Sequence, residues 1–302
     1  MQAKTKYRFM SATGKLPYNM TNDYMFRIVL QRDKETLIGL ICSILHLSRD
    51  DVADVTVENP ITPGEAIDEK EYQLDILVSL NNYTFINLEM QVINYNNWPL
   101  RSLAYLCRKF DSLHRGKNYS EIKPVYQVGF LDFTLFEGHP EFFARYQVRN
   151  ARDGYLYTDK FNLFVVELNN TGLATAEDKQ HGVDTWARLF KATTWEEIRM
   201  ITKDNPSMCS TAESIYLSNA DENVRELCRR RMDAIAHENF QKKLIQDLTD
   251  KNESLSVEVV SLSNKNRTLS DENQSLSSEN KALSDEITRL RKLLETNNID
   301  SR

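Results

Sequence analysis

Glycine and proline are scarce in this chain, with 9 and 7 among 302 residues. That scarcity excludes a collagen-like repeat and Pro/Gly-rich disorder. With 41% apolar and 27% charged residues it describes a folded, helix-rich protein long enough for one large domain or two. Cysteine is also sparse: Cys42, Cys107, Cys209 and Cys228 show no CxxC pairing, so they read as reduced core thiols and not as a disulfide framework or thiolate cage. The five histidines lie far apart without HExxH or similar spacing, which argues against zinc. No apolar run approaches the roughly 18 residues of a membrane span, and no apolar stretch follows the basic N-terminal segment as it would in a secretory leader. The expectation is a cytoplasmic protein with no membrane partner.

The clearest periodicity is C-terminal. Leu248, Leu255, Leu262, Leu269, Leu276, Leu283 and Leu290 recur every seven residues. With these at d, the a positions are Ile245, Asn252, Val259, Asn266, Asn273, Asn280 and Ile287. Neither Gly nor Pro interrupts residues 207–302. A sustained heptad predicts a left-handed coiled coil, and Asn at a favours an in-register, parallel pair at some cost in stability. The expectation is a parallel homodimer through residues 245–294, its seam formed by Leu255, Leu262, Asn266, Leu269, Asn273, Leu276, Asn280 and Leu283. The e positions are Ser256, Ser263, Ser270, Ser277 and Ser284, which give the g charges no opposite partner. The same repeat is compatible with a weakly associating spacer.

Residues 1–240 read as a single α/β domain, followed by the coiled coil over 241–302. Residues 23–47 place apolar side chains at helical spacing; 72–80 and 83–93 read as strands around Asn81-Asn82; 98–114 reads as a helix, 124–136 and 161–168 as strands, and 179–240 as helical again. That order predicts a mixed sheet flanked by helices.

Residues 72–93, YQLDILVSLNNYTFINLEMQVI, carry the candidate chemistry. Leu74, Ile76, Val78 and Leu80 share one face of the first strand. In the second, Ile86, Leu88, Met90 and Val92 share one face, and Phe85, Asn87, Glu89 and Gln91 the other. A tight two-residue turn pairs Leu80 with Tyr83 and mixes the faces. A three-residue loop or a bulge pairs Leu80 with Thr84, keeps apolar against apolar and sets Asp75 opposite Glu89, with Cβ atoms about 4.5–5.5 Å apart. Asn suits the left-handed conformation expected at the last position of that loop. Two carboxylates so close need a raised pKa, a basic neighbour or a divalent cation. Hard oxygen donors favour Mg²⁺ or Mn²⁺, with the Met90 carbonyl as a third ligand and Gln91 placed to orient a water. By spacing alone, an ordinary amphipathic hairpin with solvent-side acids fits as well.

The pattern Asp75, then Glu89-Met90-Gln91 on the following strand, resembles the PD-(D/E)XK nuclease core, in which the last position is usually Lys. The wider context resembles the transposase-associated branch of that superfamily, the Rpn family of recombination-promoting nucleases. Carrying that resemblance are TNDYMFRIVL from residue 21, INLEMQ at 86–91, RSLAYLCRKFDSLHRGKNY at 101–119, IKPVYQVGFLDFTLF at 122–136 and FNLFVVELN at 161–169. Together they span about residues 17–240. Arg27 departs from the Lys that family members often carry after the Phe. The resemblance implies a PD-(D/E)XK nuclease-like α/β fold and metal-dependent hydrolysis of DNA phosphodiesters. Asp75 and Glu89 would hold Mg²⁺, Gln91 would stand at the usual lysine, and Asp23 or Glu35 are candidate helix acids. Asp23 fits a helix start equally well.

Between residues 101 and 123 lie six basic residues and two acidic ones. Arg101, Tyr105, Arg108 and Lys109 form a candidate row for the DNA backbone, although a solvated helix face has the same pattern. The formal charge of -6 does not exclude DNA, because residues 50–71 alone hold eight acids against Lys70. The competing class is a catalytically inactive nuclease-fold protein that assembles through its coiled coil. Trp98, Tyr105, Trp186 and Trp195 are expected in the core and not as stacking platforms.

Overall fold

The computed structural model describes residues 7–60, 76–111, 118–203 and 205–299. Six strands form one mixed sheet: β1 (Val55–Val57), β2 (Ile76–Leu80), β3 (Thr84–Gln91), β4 (Val125–Leu131), β5 (Phe143–Gln147) and β6 (Phe161–Glu167), in the order β1-β2-β3-β4-β6-β5. β3, β4 and β6 run parallel at the centre; β1, β2 and β5 pair antiparallel at the flanks. Sequence reasoning missed β1 and β5 and ran the fourth strand to residue 136, whereas it ends at Leu131. The Phe-rich stretch beyond belongs to a loop and to the edge strand β5.

Helices α1 (Asp23–Arg32), α2 (Lys34–Leu45) and α5 (Val183–Lys191) pack on one face of the sheet, and α6 (Trp195–Thr202) and α7 (Pro206–Ala220) pack on those helices in the same core. α4 (Ala176–Gln180) is a single capped turn between β6 and α5. Local chemistry sets these boundaries. The Asn22 side chain accepts from the Met25 N–H and caps α1, and Asp33 accepts from the Glu35 and Thr36 N–H groups and caps α2. On this face the even-numbered side chains Ile86, Leu88, Met90, Val128, Phe130, Phe164 and Val166 join the large core, with Phe26 of α1 meeting Phe130 at 5.5 Å between ring centroids.

The opposite face carries one helix, α3 (Trp98–Phe110), over a smaller core of Trp98, Leu106, Val125, Leu131, Ala144, Leu163 and Val165. Gly129 explains its close approach. A Cβ built there would lie 2.1 Å from Trp98 Cζ2, so glycine is what lets the indole lie against β4.

The hairpin register is Ile76–Leu88, Leu77–Asn87, Val78–Ile86, Ser79–Phe85 and Leu80–Thr84. This is the odd-loop pairing that patterning selected. The left-handed residues are Asn81 and Asn82, the first two loop positions and not the last, and the Tyr83 N–H donates to Leu80 C=O at 3.0 Å. Tyr83 is then the extra residue that shifts the pairing by one.

The described chain divides into two compact units, Met1–Ala236 and His237–Arg302. α8 (Glu222–Ile299) is a single unbroken helix that starts well before residue 241. In the first unit its early turns bury Val224 and Cys228, and Arg231 pairs with Asp23 at 2.7 Å. In the second unit the seam leucines are about half exposed. Of the four cysteines, Cys209 and Cys228 are buried as expected, Cys42 is intermediate and Cys107 is exposed on α3. Trp98, Trp186 and Trp195 are all buried. Among the described residues no helix is long and apolar enough to cross a membrane.

Candidate active site

The site lies on the α3 side of the sheet, where parallel register puts Asn87 beside Gln127 and Glu89 beside Gly129. Glu89 is 3% exposed, and a carboxylate buried to that degree needs partners. It has them on both oxygens. Arg101 Nη2, from the first turn of α3, lies 2.7 Å from Oε1, and Gln127 Nε2 donates to Oε2 at 3.2 Å. Asn87 Nδ2 in turn donates to Gln127 Oε1 at 3.0 Å, which fixes the amide so that its NH₂ faces the acid. The order Asn87, Gln127, Glu89, Arg101 is thus a directed hydrogen-bond chain ending in a charge pair.

Along the same surface runs a cleft of about 200 Å³ lined by Asn59, Leu77, Asn87, Tyr105, Leu106, Arg108, Lys109, Val125 and Gln127. Two guanidinium groups lie over the Tyr105 ring, Arg101 at 5.5 Å and Arg108 at 5.7 Å from its centroid. Lys109 Nζ lies 3.8 Å and Lys123 Nζ 5.2 Å from the Phe85 centroid, and Lys123 also donates to the Asn82 carbonyl at 2.7 Å. Burial lowers the Lys109 pKa, with Glu58 opposing and Lys123 adding to the fall. Cations held over aromatic faces beside a cleft are suited to binding phosphate oxygens.

The sequence-selected residues fare unequally. Tyr105, Arg108 and Lys109 share the cleft; Tyr105 is half-buried at its wall and not in the expected core, because its position on α3 turns it away from the sheet that buries Leu106. Arg101 does not stand with them as a free phosphate contact; it is engaged with Glu89. Gln91 is partly buried, and its Nε2 donates to the Ile93 carbonyl at 2.9 Å. Met90 sends its side chain into the large core. Its carbonyl is directed toward the β2 side, since β3 alternates and the Phe85 N–H and Gln91 C=O bond on the β4 side. Asp75 lies outside the described residues.

The helix acids belong elsewhere. α1 and α2 pack on the face opposite Glu89. Asp23 is clamped by Arg231, and burial pushes its carboxyl pKa up against that arginine's pull. Glu35 pairs with Arg49 at the surface, 3.2 Å away. Neither is brought to Glu89. Asp23 is instead the anchor of α8, consistent with a position that also serves a helix start.

Three contributors escaped sequence reasoning. Gln127 is a lone polar residue in the apolar run VYQVGFL, and that break was the available signal. Asn87 carried no signal beyond facing the same side as Glu89. Arg27, noted only as a departure, is 1% exposed and donates from Nη2 to the Asn59 carbonyl at the cleft wall.

A divalent metal is compatible with this chemistry. The hard oxygen donors on β3 are the Glu89 carboxylate and the Met90 carbonyl; both lie outside the cleft lining, which holds amides and cations and neither His nor Cys. Among the described residues no group of three His, Cys, Asp or Glu side chains converges.

A mixed sheet with parallel centre, helices on both faces and a hairpin whose second strand carries a buried acid defines a nuclease-like α/β protein. The chain belongs to the PD-(D/E)XK nuclease family transposases, whose family model matches residues 20–244. PD-(D/E)XK nucleases generally use divalent metal ions, and membership of a nuclease family implies a DNA substrate. Neither the curated proteins nor the solved structures contain a match.

Proposed function

We propose that this protein is a metal-dependent DNA endonuclease of the Rpn type, acting in recombination or mobile-element biology. The observation that supports it most is the buried Glu89 carboxylate on β3, held between Arg101 and Gln127 on the face of the sheet that carries the cation-lined cleft. In this reading Asp75, Glu89 and the Met90 carbonyl hold Mg²⁺ or Mn²⁺. The metal, when bound, neutralises charge developing at the phosphate and lowers the pKa of the attacking water. Gln127, itself held by Asn87, fixes the Glu89 rotamer through Oε2, so the carboxylate keeps its direction when the substrate arrives. Arg108 and Lys109, with Tyr105 beside them, bind the DNA backbone along the cleft. Two chains pair in parallel through residues 245–294, giving two sites, enough to cut both strands. The protein acts in the cytoplasm.

A second reading, an inactive nuclease-fold protein that works through its coiled coil, is favoured by one feature. Gln91 stands at the usual lysine and its amide is committed to the Ile93 carbonyl. Plasmid nicking in Mg²⁺ and Mn²⁺ separates the two: the endonuclease loses activity with Asp75→Ala and with Glu89→Ala, and the inactive protein shows no nicking above those variants.

A further inference from the structure

Resting on the reading of Glu89 as a metal ligand, we infer that Arg101 guards that carboxylate and releases it only to DNA, so that metal loading and DNA binding are coupled. The Glu89–Arg101 pair is asymmetric. The carboxylate side chain is 4% exposed and the guanidinium 29%, so the arginine is the partner able to leave toward solvent. Glu89 is further tied down by Gln127, and Gln127 by Asn87.

While Arg101 lies 2.7 Å from Oε1, a divalent cation at the same oxygen meets a like charge at close range. The structure also offers the guanidinium another position. Arg101 already lies on the Tyr105 ring, whose other neighbour is Arg108, and Tyr105 and Arg108 line the cleft. A phosphate in that cleft gives Arg101 a second anion one helical turn along α3 without its leaving the aromatic ring. Moving there takes the guanidinium charge away from Oε1. Linkage then requires that DNA tighten metal binding and that metal tighten DNA binding by the same factor. In the absence of DNA the carboxylate keeps an internal counter-charge. Arg101 acts here as a positioning residue, through Glu89.

The test is Mn²⁺ binding to the full-length protein, read by the electron paramagnetic resonance of free Mn²⁺, with and without a short DNA duplex. Wild type is expected to bind Mn²⁺ weakly alone and about tenfold more tightly with duplex. Arg101→Gln is expected to bind Mn²⁺ about tenfold more tightly than wild type without DNA and to gain little from duplex. Arg101→Lys, which keeps the charge but not the forked geometry, falls between them and covers the case in which the glutamine variant does not fold. Equal DNA-free affinity in wild type and both variants, or equal enhancement by duplex in all three, overturns the guard. Glu89→Gln distinguishes this from failure of the site itself: if it leaves Mn²⁺ binding unchanged, the metal reading falls and the guard falls with it.

Discussion

Gly129→Ala is a small change that the structure makes severe. The added Cβ lies 2.1 Å from Trp98 Cζ2, 2.7 Å from Cη2 and 3.0 Å from Cε2. Opening the shortest of these to an ordinary 3.4 Å contact takes a shift of about 1.3 Å, borne by a buried indole at the start of α3. Backbone strain plays no part, since Gly129 is absent from the positive-φ glycines. Two terms compete. Alanine restricts the unfolded chain and stabilises by about 0.4–1 kcal/mol, whereas overpacking a filled site costs about 1–3 kcal/mol. The two ranges leave a net loss of about 0–2.6 kcal/mol, and a 2.1 Å clash against a buried indole puts it in the upper half. The site is hit harder. Arg101 follows Trp98 by three residues, and displacing the helix start pulls Nη2 from its 2.7 Å contact with Glu89. Urea denaturation should show a lower midpoint at unchanged slope, with DNA affinity and any nicking activity falling together. An unchanged midpoint and unchanged DNA affinity would refute the placement of α3 on β4 and, with it, the position assigned to Arg101.

Other expectations follow from single contacts. His46 stacks on His181 at 3.8 Å between ring centroids and meets Glu177 at 3.1 Å. Burial first, then His181 and Arg145, lowers its pKa below the ordinary 6.5, with Glu177 opposing. The unfolded chain therefore takes up the proton that the folded chain resists, so this stability is present above pH 6.5 and lost as pH falls below it. His46→Asn, which tolerates the left-handed backbone at that position, should flatten the fall in urea midpoint on acidification. Arg231→Ala strands the buried Asp23 carboxylate and should cost about 3 kcal/mol, seen as a fall in thermal midpoint of roughly 6–12 °C; Asp23→Asn in the same background should recover part of it. Sedimentation of the full chain should give a dimer, and removal of residues 245–302 a monomer; a monomer in both sinks the seam.

Much of this was legible in the sequence because burial leaves a periodic trace. The apolar alternation of β2 and β3 forced the Leu80–Thr84 pairing and with it the face that Glu89 occupies, since any other register buries amides in the large core. The heptads marked the long helix for the same reason. β1 and β5 left no such trace. One is three residues long, and the other, Phe-Ala-Arg-Tyr-Gln, is an edge strand with one buried side chain. The partners of Glu89 were hidden differently. Arg101 read as one of several basic residues on a helix, and only the packing of Trp98 on Gly129 decides that its guanidinium reaches the acid. Gln127 and Gly129 did break the apolar run of β4, a buried amide and a missing side chain in one strand. Each is the kind of interruption that marks a polar partner or a close approach.

The central claim, that Glu89 serves metal-dependent strand cleavage, is tested most directly by nicking of supercoiled plasmid in Mn²⁺ with wild type and Glu89→Gln matched for thermal unfolding. The variant should cleave at least about a hundredfold more slowly; equal rates, or no cleavage by wild type above the variant in either Mg²⁺ or Mn²⁺, would show that Glu89 has no part in cleavage.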